Sequence, residues 1–203
     1  MNEILFITFA FFCLSLVLVA FRMGKLYLFL LISVFTILMN IFVLKQFELF
    51  GLLITGGNIL YGSLFLITDL LSEHYGKKEA FRAVIIGFLT SAFFVVALQF
   101  LLAFVPSVDD FAQDSLNTLF SIAPRILIGS MLAYLIAQSV DIILYDKIKS
   151  IKSSKNYLWL RNNGSTLISQ AIDTFIFTLV GLTTLSFLPF GGVIPVEIFW
   201  EVF

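Results

Sequence analysis

The chain has 203 residues, of which 60% are hydrophobic and only 12% are charged, and its formal net charge is −1. Soluble domains average about 45–50% apolar and about 25% charged residues, so this composition excludes an ordinary water-soluble fold. There is no basic excess of the kind that binds phosphate backbones, so we expect no nucleic-acid partner. Cys13 and His74 are each the single residue of their type, which excludes a disulfide framework and a Cys- or His-based metal site. We expect no metal and no cofactor, and a lipid bilayer as the surroundings.

Six apolar segments follow one another along the chain, each long enough to cross a bilayer as a helix. They cover residues 3–21, 26–44, 49–71, 81–105, 119–145 and 167–188. The alternating polarity of membrane β-strands is absent. The first segment has no basic residues before it, so it is predicted to be a retained helix and not a cleaved signal peptide. The sequence therefore predicts an all-α polytopic membrane bundle of about six transmembrane helices in a single domain over residues 1–203.

The basic residues are confined to alternate connections between these segments. The first, third and fifth connections hold ten of the 12 Lys and Arg residues: Arg22, Lys25, Lys77, Lys78, Arg82, Lys147, Lys149, Lys152, Lys155 and Arg161. Because Lys and Arg are retained on the cytoplasmic side of short loops, these connections are predicted to be cytoplasmic and the N-terminus to lie outside. The same rule places the acidic connection 106–118 outside and the basic connection 146–165 inside.

Three carboxylates lie within or next to the apolar segments: Asp69, Asp141 and Asp173. A charged residue at the centre of a membrane helix costs roughly 2.5–3.5 kcal/mol on insertion scales, and less near its ends. Two interpretations stay open at this point. Each carboxylate caps or pairs with a structural partner, or the three share a polar cavity.

Helical spacing places polar and small residues on one face of three segments. The stripes are Asn58, Gly62, Phe65, Asp69 and Glu73; Ser130, Ala133, Ala137 and Asp141; and Thr166, Ser169, Gln170, Asp173 and Phe177. Small residues alone are typical of close helix packing. The convergence of three carboxylate-bearing stripes favours a shared site.

Three features outside the stripes carry less weight. Arg125 follows Pro124 at the start of the fifth segment, where it faces an outer vestibule or anchors at the headgroups. Gly56-Gly57 either interrupts the third segment beside a cavity or is a packing pair. His74 is expected to be a solvated loop residue.

Two stretches carry a family resemblance. TDLLSEHYGKKEA at 68–80 and WLRNNGSTLISQAIDT at 159–174, with AYLIAQSVDIILYDKIK at 133–149 between them, resemble the hallmark segments of the queuosine-precursor transporter family, also called the vitamin uptake transporter family. The resemblance covers about residues 40–190. It implies a non-enzymatic transporter in the prokaryotic cytoplasmic (inner) membrane that imports 7-deazaguanine bases, namely the 7-cyano and 7-aminomethyl precursors or queuine, for tRNA modification. It also implies a fold like the substrate-binding membrane subunits of energy-coupling vitamin transporters.

The chemistry of such a purine-like base suits the polar residues of the stripes. Its ring N–H and exocyclic amine form a donor pair that one carboxylate can accept. Asp69, Glu73 and Asp173 match the motif acids of the family and are the candidates for this role. Amides can satisfy the ring carbonyl, and the remaining candidate binding residues are Asn58, Gln170, Asn162, Asn163, Asp141 and Arg125. Arg161 is an alternative partner for one of the acids, which would make that pair structural.

The sequence departs from the family at both ends. The first segment is expected to be an additional helix, and residues 196–203 are interpreted as the start of a further helix that continues in relatives. Other functions also stay open: a vitamin-binding subunit that needs a separate energising module, a membrane enzyme, or a structural membrane protein. No nucleophile and base constellation supports the enzyme. The oligomeric state is not predicted.

Overall fold

The computed structural model describes residues 1–120, 124–151 and 157–182, and their side chains except at 52–53, 124–127 and 182. In chain order the elements are α1 (Asn2–Met23), α2 (Lys25–Phe42), β1 (Gln46–Leu49), β2 (Leu52–Thr55), α3 (Gly57–His74), α4 (Lys77–Ala103), α5 (Gln113–Phe120), α6 (Pro124–Ile151), α7 (Leu158–Ile176) and a π-helix (Phe177–Leu182).

Two glycines make the tight connections between consecutive long helices. Gly24 separates α1 from α2 with a φ of 114°, and Gly76 precedes α4 with a φ of 89°. Side chains with a Cβ rarely adopt this region of backbone space, so glycine is the residue that permits these short connections.

Four helices of the described residues are long and apolar enough to cross a bilayer: Asn2–Met23, Lys25–Phe42, Lys77–Ala103 and Ile128–Ile151. Their length and composition confirm the prediction of an all-α polytopic membrane protein. The sixth predicted segment, 167–188, lies partly outside the described residues, so the prediction of about six spans stays a prediction.

Helix α3 lies at the centre of the bundle. It packs against α1, α2, α4 and α6 and also contacts α7. Leu60, Leu64, Ile67 and Leu71 are fully buried and recur at helical spacing along one side of α3. This side forms the apolar core, which leaves the polar residues of α3 to face α6 and α7.

The structure differs from the sequence prediction at three connections. Strands β1 and β2 form an antiparallel hairpin that pairs Gln46 with Thr55 and Leu49 with Leu52. The predicted segment 49–71 therefore begins within a hairpin, and its helix starts only at Gly57. The predicted loop 106–118 contains the start of α5. Most of the predicted loop 146–165 is helical, because α6 continues to Ile151 and α7 begins at Leu158.

Ion pairs join the basic connections at one end of the bundle. Lys25 lies 3.2 Å from Glu79, and Lys149 lies 3.1 Å from Glu73. The hairpin lies at the opposite end, where the Asn2 side-chain amide donates to the backbone carbonyl of Glu48 at 3.0 Å. We call these the basic end and the hairpin end.

Candidate functional site

A polar seam runs between α3, α6 and α7, and it consists of three groups of side chains arranged from the hairpin end to the basic end. The first group lines a cavity, the second is a pair of carboxyl groups, and the third is a cluster of charged side chains.

The cavity has a volume of about 580 Å³, which falls within the usual range for small-molecule sites. It is enclosed by the C-terminus of α2, the hairpin, the start of α3, and parts of α6, α7 and the π-helix. Its lining residues are Met39, Val43, Leu44, Gln46, Ile54, Thr55, Gly57, Asn58, Tyr61, Ser130, Ala133, Asp173, Thr174, Phe177 and Thr178. Apolar walls with a few convergent polar groups are typical of a small-molecule site.

Asp173 and Tyr61 form the principal polar contact of the cavity. The Tyr61 hydroxyl donates to Oδ1 of Asp173 at 2.5 Å, which links α3 to α7. Within the described part of the chain, no side chain or backbone group donates to the other oxygen, Oδ2. The Tyr61 ring packs edge-on against Phe65 with centroids 5.1 Å apart, and this contact fixes its orientation.

Asn58 lies on the first turn of α3 at the cavity wall. The Thr55 hydroxyl donates to Oδ1 of Asn58 at 3.2 Å, which leaves the amide nitrogen as a donor toward the cavity.

Gly57 lines the cavity, whereas a Cβ on Gly56 would lie 2.9 Å from the Phe42 carbonyl oxygen. The Gly56-Gly57 pair therefore both begins the helix beside a cavity and permits close packing against α2.

The π-helix follows Asp173 by one turn and packs against α6. A Cβ on Gly129 would lie 2.6 Å from the Cα of Gly181, so the two backbones approach closely only because residue 129 is glycine. Phe177, on the same π-helix, lines the cavity. Single turns of π-helix are frequent at functional sites, where they change the direction of side chains.

The second group consists of Asp69 and Asp141. Asp141 is fully buried, and Asp69 has only 5% of its surface exposed. Oδ1 of Asp141 accepts hydrogen bonds from Ser169 at 3.1 Å and from Thr166 at 3.3 Å. The carboxyl groups of Asp69 and Asp141 interact directly with each other. Neither residue lines the cavity.

The third group surrounds Glu73 near the basic end. Its carboxylate accepts a hydrogen bond from Tyr145 at 2.8 Å and pairs with Lys149 and Arg161, both at 3.1 Å. Arg161 is fully buried, and its guanidinium lies 5.8 Å from the centre of the Tyr145 ring. Arg161 thus neutralises one of the motif acids, which was one of the alternatives drawn from the sequence.

The structure brings only some of the predicted site residues to the cavity. Asn58 and Asp173 line it, whereas Gln170 and Asn163 are exposed outside it and Asn162 is half-buried away from it. The side chain of Arg125 lies outside the described residues. His74 is exposed, as expected, but it is the last residue of α3 and not a loop residue, and its ring packs against Phe21.

Sequence reasoning missed Tyr61, Gln138 and Tyr145. Gln138 is fully buried and accepts a hydrogen bond from Thr68 at 3.1 Å. A signal was present, because Gln138, Asp141 and Tyr145 recur at helical spacing and share a face of α6. Among the described residues, no group of three or more His, Cys, Asp and Glu side chains is arranged to hold a metal ion.

The chain is similar to proteins of one known family. The family described as "Putative vitamin uptake transporter" matches residues 55–203. The chain is 42% identical over 180 residues to the "Probable queuosine precursor transporter" of Bacillus subtilis (strain 168), covering 89% of this chain and 75% of that protein. It is 27% identical over 124 residues to the protein of the same name from Haemophilus influenzae, covering 61% of this chain and 49% of that protein. No solved structure matches the chain. Because the family match covers most of the chain, including α3, α6 and α7, the chain belongs to this family of integral membrane transporters.

Proposed function

We propose that the protein imports queuosine precursors, that is 7-deazaguanine bases or queuine, into the cytoplasm for tRNA modification. The names of the two relatives support this cargo class. The observation that carries the proposal is the cavity of about 580 Å³ that combines the Asp173 carboxylate with the Tyr61 ring and the Asn58 amide.

The donors and acceptors of the cavity match the edge of such a base. The ring N–H and the exocyclic amine lie side by side, and the two oxygens of Asp173 accept them. Oδ2 has no protein donor among the described residues, and Oδ1 keeps a lone pair beyond the one that accepts from Tyr61. The Asn58 amide nitrogen donates to the ring carbonyl, and Tyr61 and Phe177 supply aromatic surfaces beside the base. Apolar residues of α2 enclose the ring from the other side.

The charge distribution supports an orientation with the basic end in the cytoplasm. Residues of the first, third and fifth connections meet at this end through the contacts of Lys25, Lys77 and Lys149. The cavity lies toward the hairpin end, so in this orientation it receives the base from the outside. Asp69 and Glu73, which lie closer to the cytoplasm, are assigned no direct contact with the base.

Uptake by cells that cannot synthesise the base tests the proposal. Labelled 7-cyano-7-deazaguanine is supplied, and its import is measured as queuosine in tRNA. Loss of a hydrogen-bond partner by a charged group costs about 1.5–3 kcal/mol, so we expect Asp173→Asn to weaken apparent affinity by roughly 10-fold to 150-fold. Tyr61→Phe keeps the ring and should have a smaller effect.

Asp146→Asn is the matched control, since Asp146 is a half-exposed carboxylate on α6 that pairs with Lys77 at 3.3 Å. Normal uptake is expected from this variant at equal abundance in the membrane. If Asp173→Asn imports the base with unchanged affinity, Asp173 is not the binding carboxylate. If the unaltered protein restores no queuosine, the proposed cargo is wrong.

A further inference from the structure

The Asp69 and Asp141 pair is separate from both the cavity and the charged cluster. Lys149 and Arg161 are directed to Glu73, and no cation in the described residues lies within ion-pair distance of Asp69 or Asp141. Oδ2 of Asp141 is buried and receives no protein donor there. A buried acid with an oxygen left unpaired requires a ligand that supplies positive charge or a hydrogen-bond donor.

A proton shared by the two carboxyl groups meets this requirement. Two carboxylates are acceptors only, and they repel each other at hydrogen-bonding range. One proton between them converts this repulsion into a hydrogen bond and leaves the pair with a single negative charge. The Ser169 and Thr166 hydroxyls already donate to Oδ1 of Asp141, so that charge is stabilised on Asp141. Asp69 is then the member that carries the proton.

We propose that the Asp69 and Asp141 pair is a proton-binding site that couples movement of the base to the proton gradient, a proposal that rests on the proposed transport function. Asp69 lies on α3 eight residues beyond Tyr61, about 12 Å along the same helix. Because α3, α6 and α7 form both the cavity and the pair, a movement of these helices that opens the cavity also changes the distance between the carboxyl groups. Separation converts the protonated pair into two carboxylates and one released proton, which balances charge and atoms.

The neighbours of the pair define what else can titrate there. Glu73 and Tyr61 lie on α3 and Tyr145 on α6, and all three interact electrostatically with the pair. Helix α7 presents the hydroxyls of Ser165, Thr166 and Ser169 to Asp141. On the same helix Arg161 pairs with Glu73, and Asp173 accepts from Tyr61. From α4, Lys77 pairs with Asp146.

Flux measurements in proteoliposomes test the coupling. Labelled 7-cyano-7-deazaguanine is the substrate, and a trapped pH-sensitive dye reports the internal pH. The expected result is that an inward proton gradient drives accumulation and that adding the base acidifies the interior. In Asp141→Asn and Asp69→Asn, the base should only equilibrate across the membrane and the interior should not acidify. Asp146→Asn should behave like the unaltered protein. Counterflow of labelled against unlabelled base reports transport without a gradient.

The outcomes separate the two proposals. Counterflow by the unaltered protein with no proton movement overturns the coupling and leaves the transport function standing. Accumulation driven by a sodium gradient alone also overturns it. Absence of counterflow overturns the transport function and the coupling with it.

Infrared spectroscopy tests the proton site itself, without transport, by comparing the spectrum of the unaltered protein with those of its variants. A protonated carboxyl group has a carbonyl stretch distinct from that of a carboxylate. We expect this band in the unaltered protein and in Asp146→Asn, and its loss in Asp69→Asn. If the band persists in Asp69→Asn, the protonated carboxyl group is not that of Asp69. This result would overturn the assignment of the proton to Asp69.

Discussion

Helices α1 and α3 show how differently two regions of the molecule use their surfaces. Only three of the 22 residues of α1 are buried, and all three are apolar or a thiol, whereas ten of the 18 residues of α3 are buried, including Ser63, Thr68 and Asp69. Helix α4 resembles α1, with Ile85, Phe93 and other large apolar side chains exposed at helical spacing. We call α1, α2 and α4 the apolar shell.

The two regions differ because their side chains need different neighbours. Lipid is a sufficient neighbour for the apolar shell, so each of its helices can be assigned from its own sequence. In the seam, the polar groups of one helix require polar groups from another, as Asp173 requires Tyr61 and Glu73 requires Arg161. Substitutions that break these contacts should therefore cost more than substitutions in the shell.

The largest effect on stability is expected at Arg161. Arg161→Ala removes a fully buried guanidinium and leaves the Glu73 carboxylate with Lys149 as its cation, so we expect the free energy of unfolding to fall by about 1.5–3 kcal/mol. Denaturant unfolding in detergent micelles measures this change. Arg82→Ala is the control, because Arg82 is largely exposed on the shell helix α4 and pairs with Glu79 at the surface.

A double variant distinguishes loss of the pair from loss of packing at Arg161. Arg161→Met together with Glu73→Gln removes both charges and keeps the volume, and it should recover much of the lost stability. If the double variant is as unstable as Arg161→Ala, the guanidinium acts through its packing against Tyr145 and not through its charge.

Burial of Arg161 also explains where the sequence prediction of the fold was wrong. The sequence predicts a loop for the polar run that begins α7, because a single sequence does not show that Arg161 faces Glu73 across 88 residues of chain. The shell was predicted accurately, since the charged turn residues Arg22 and Lys25 flank Gly24 between two apolar runs. The hairpin was missed because β2 is as apolar as the helix that follows it.

The candidate site, like the fold, was predicted in part from the sequence. Helical spacing placed Asp69, Asp141 and Asp173 on inward faces, and the structure puts all three in the seam. Spacing along each helix does not report the axial offset between helices. The residues of the three stripes are therefore distributed over successive groups along the seam, and the three carboxylates do not meet at one point. Tyr61 was missed for the same reason, because its partner Asp173 lies on another helix.

The next largest effect is expected where the seam meets the π-helix. Gly129→Ala places a methyl group 2.6 Å from the Cα of Gly181. The methyl carbon is fixed to one helix backbone and the Cα belongs to the other, so the clash is relieved only by displacing a helix. Overpacking of this kind costs about 1–3 kcal/mol. The same displacement moves Phe177 at the cavity wall, so apparent affinity for the base should fall as well. Thermal unfolding and the uptake assay measure the two effects.

Gly62→Ala is the matched control for Gly129. It makes the same chemical change on a seam helix, but a Cβ at Gly62 meets no atom within 4 Å. Alanine favours a helix interior over glycine by roughly 0.5–1 kcal/mol, so this variant should be as stable as the unaltered protein or slightly more so. Equal losses in both variants would show that helix packing at Gly129 is no tighter than elsewhere.

The smallest effect is expected at a polar contact inside the apolar shell. The Asn40 amide of α2 donates to the Ser91 hydroxyl of α4 at 2.8 Å, and both residues are buried. Hydrogen bonds between membrane helices are worth about 0.6 kcal/mol on average and about 1.7 at most. Ser91→Ala should therefore lower stability by about 0.5–1.5 kcal/mol, and Ser15→Ala, whose hydroxyl bonds only its own helix at Phe11, should change nothing measurable. A loss at Ser91 as large as that at Arg161 would mean that the shell depends on polar contacts as strongly as the seam does. In that case the division between the two regions would describe composition only and not the source of stability.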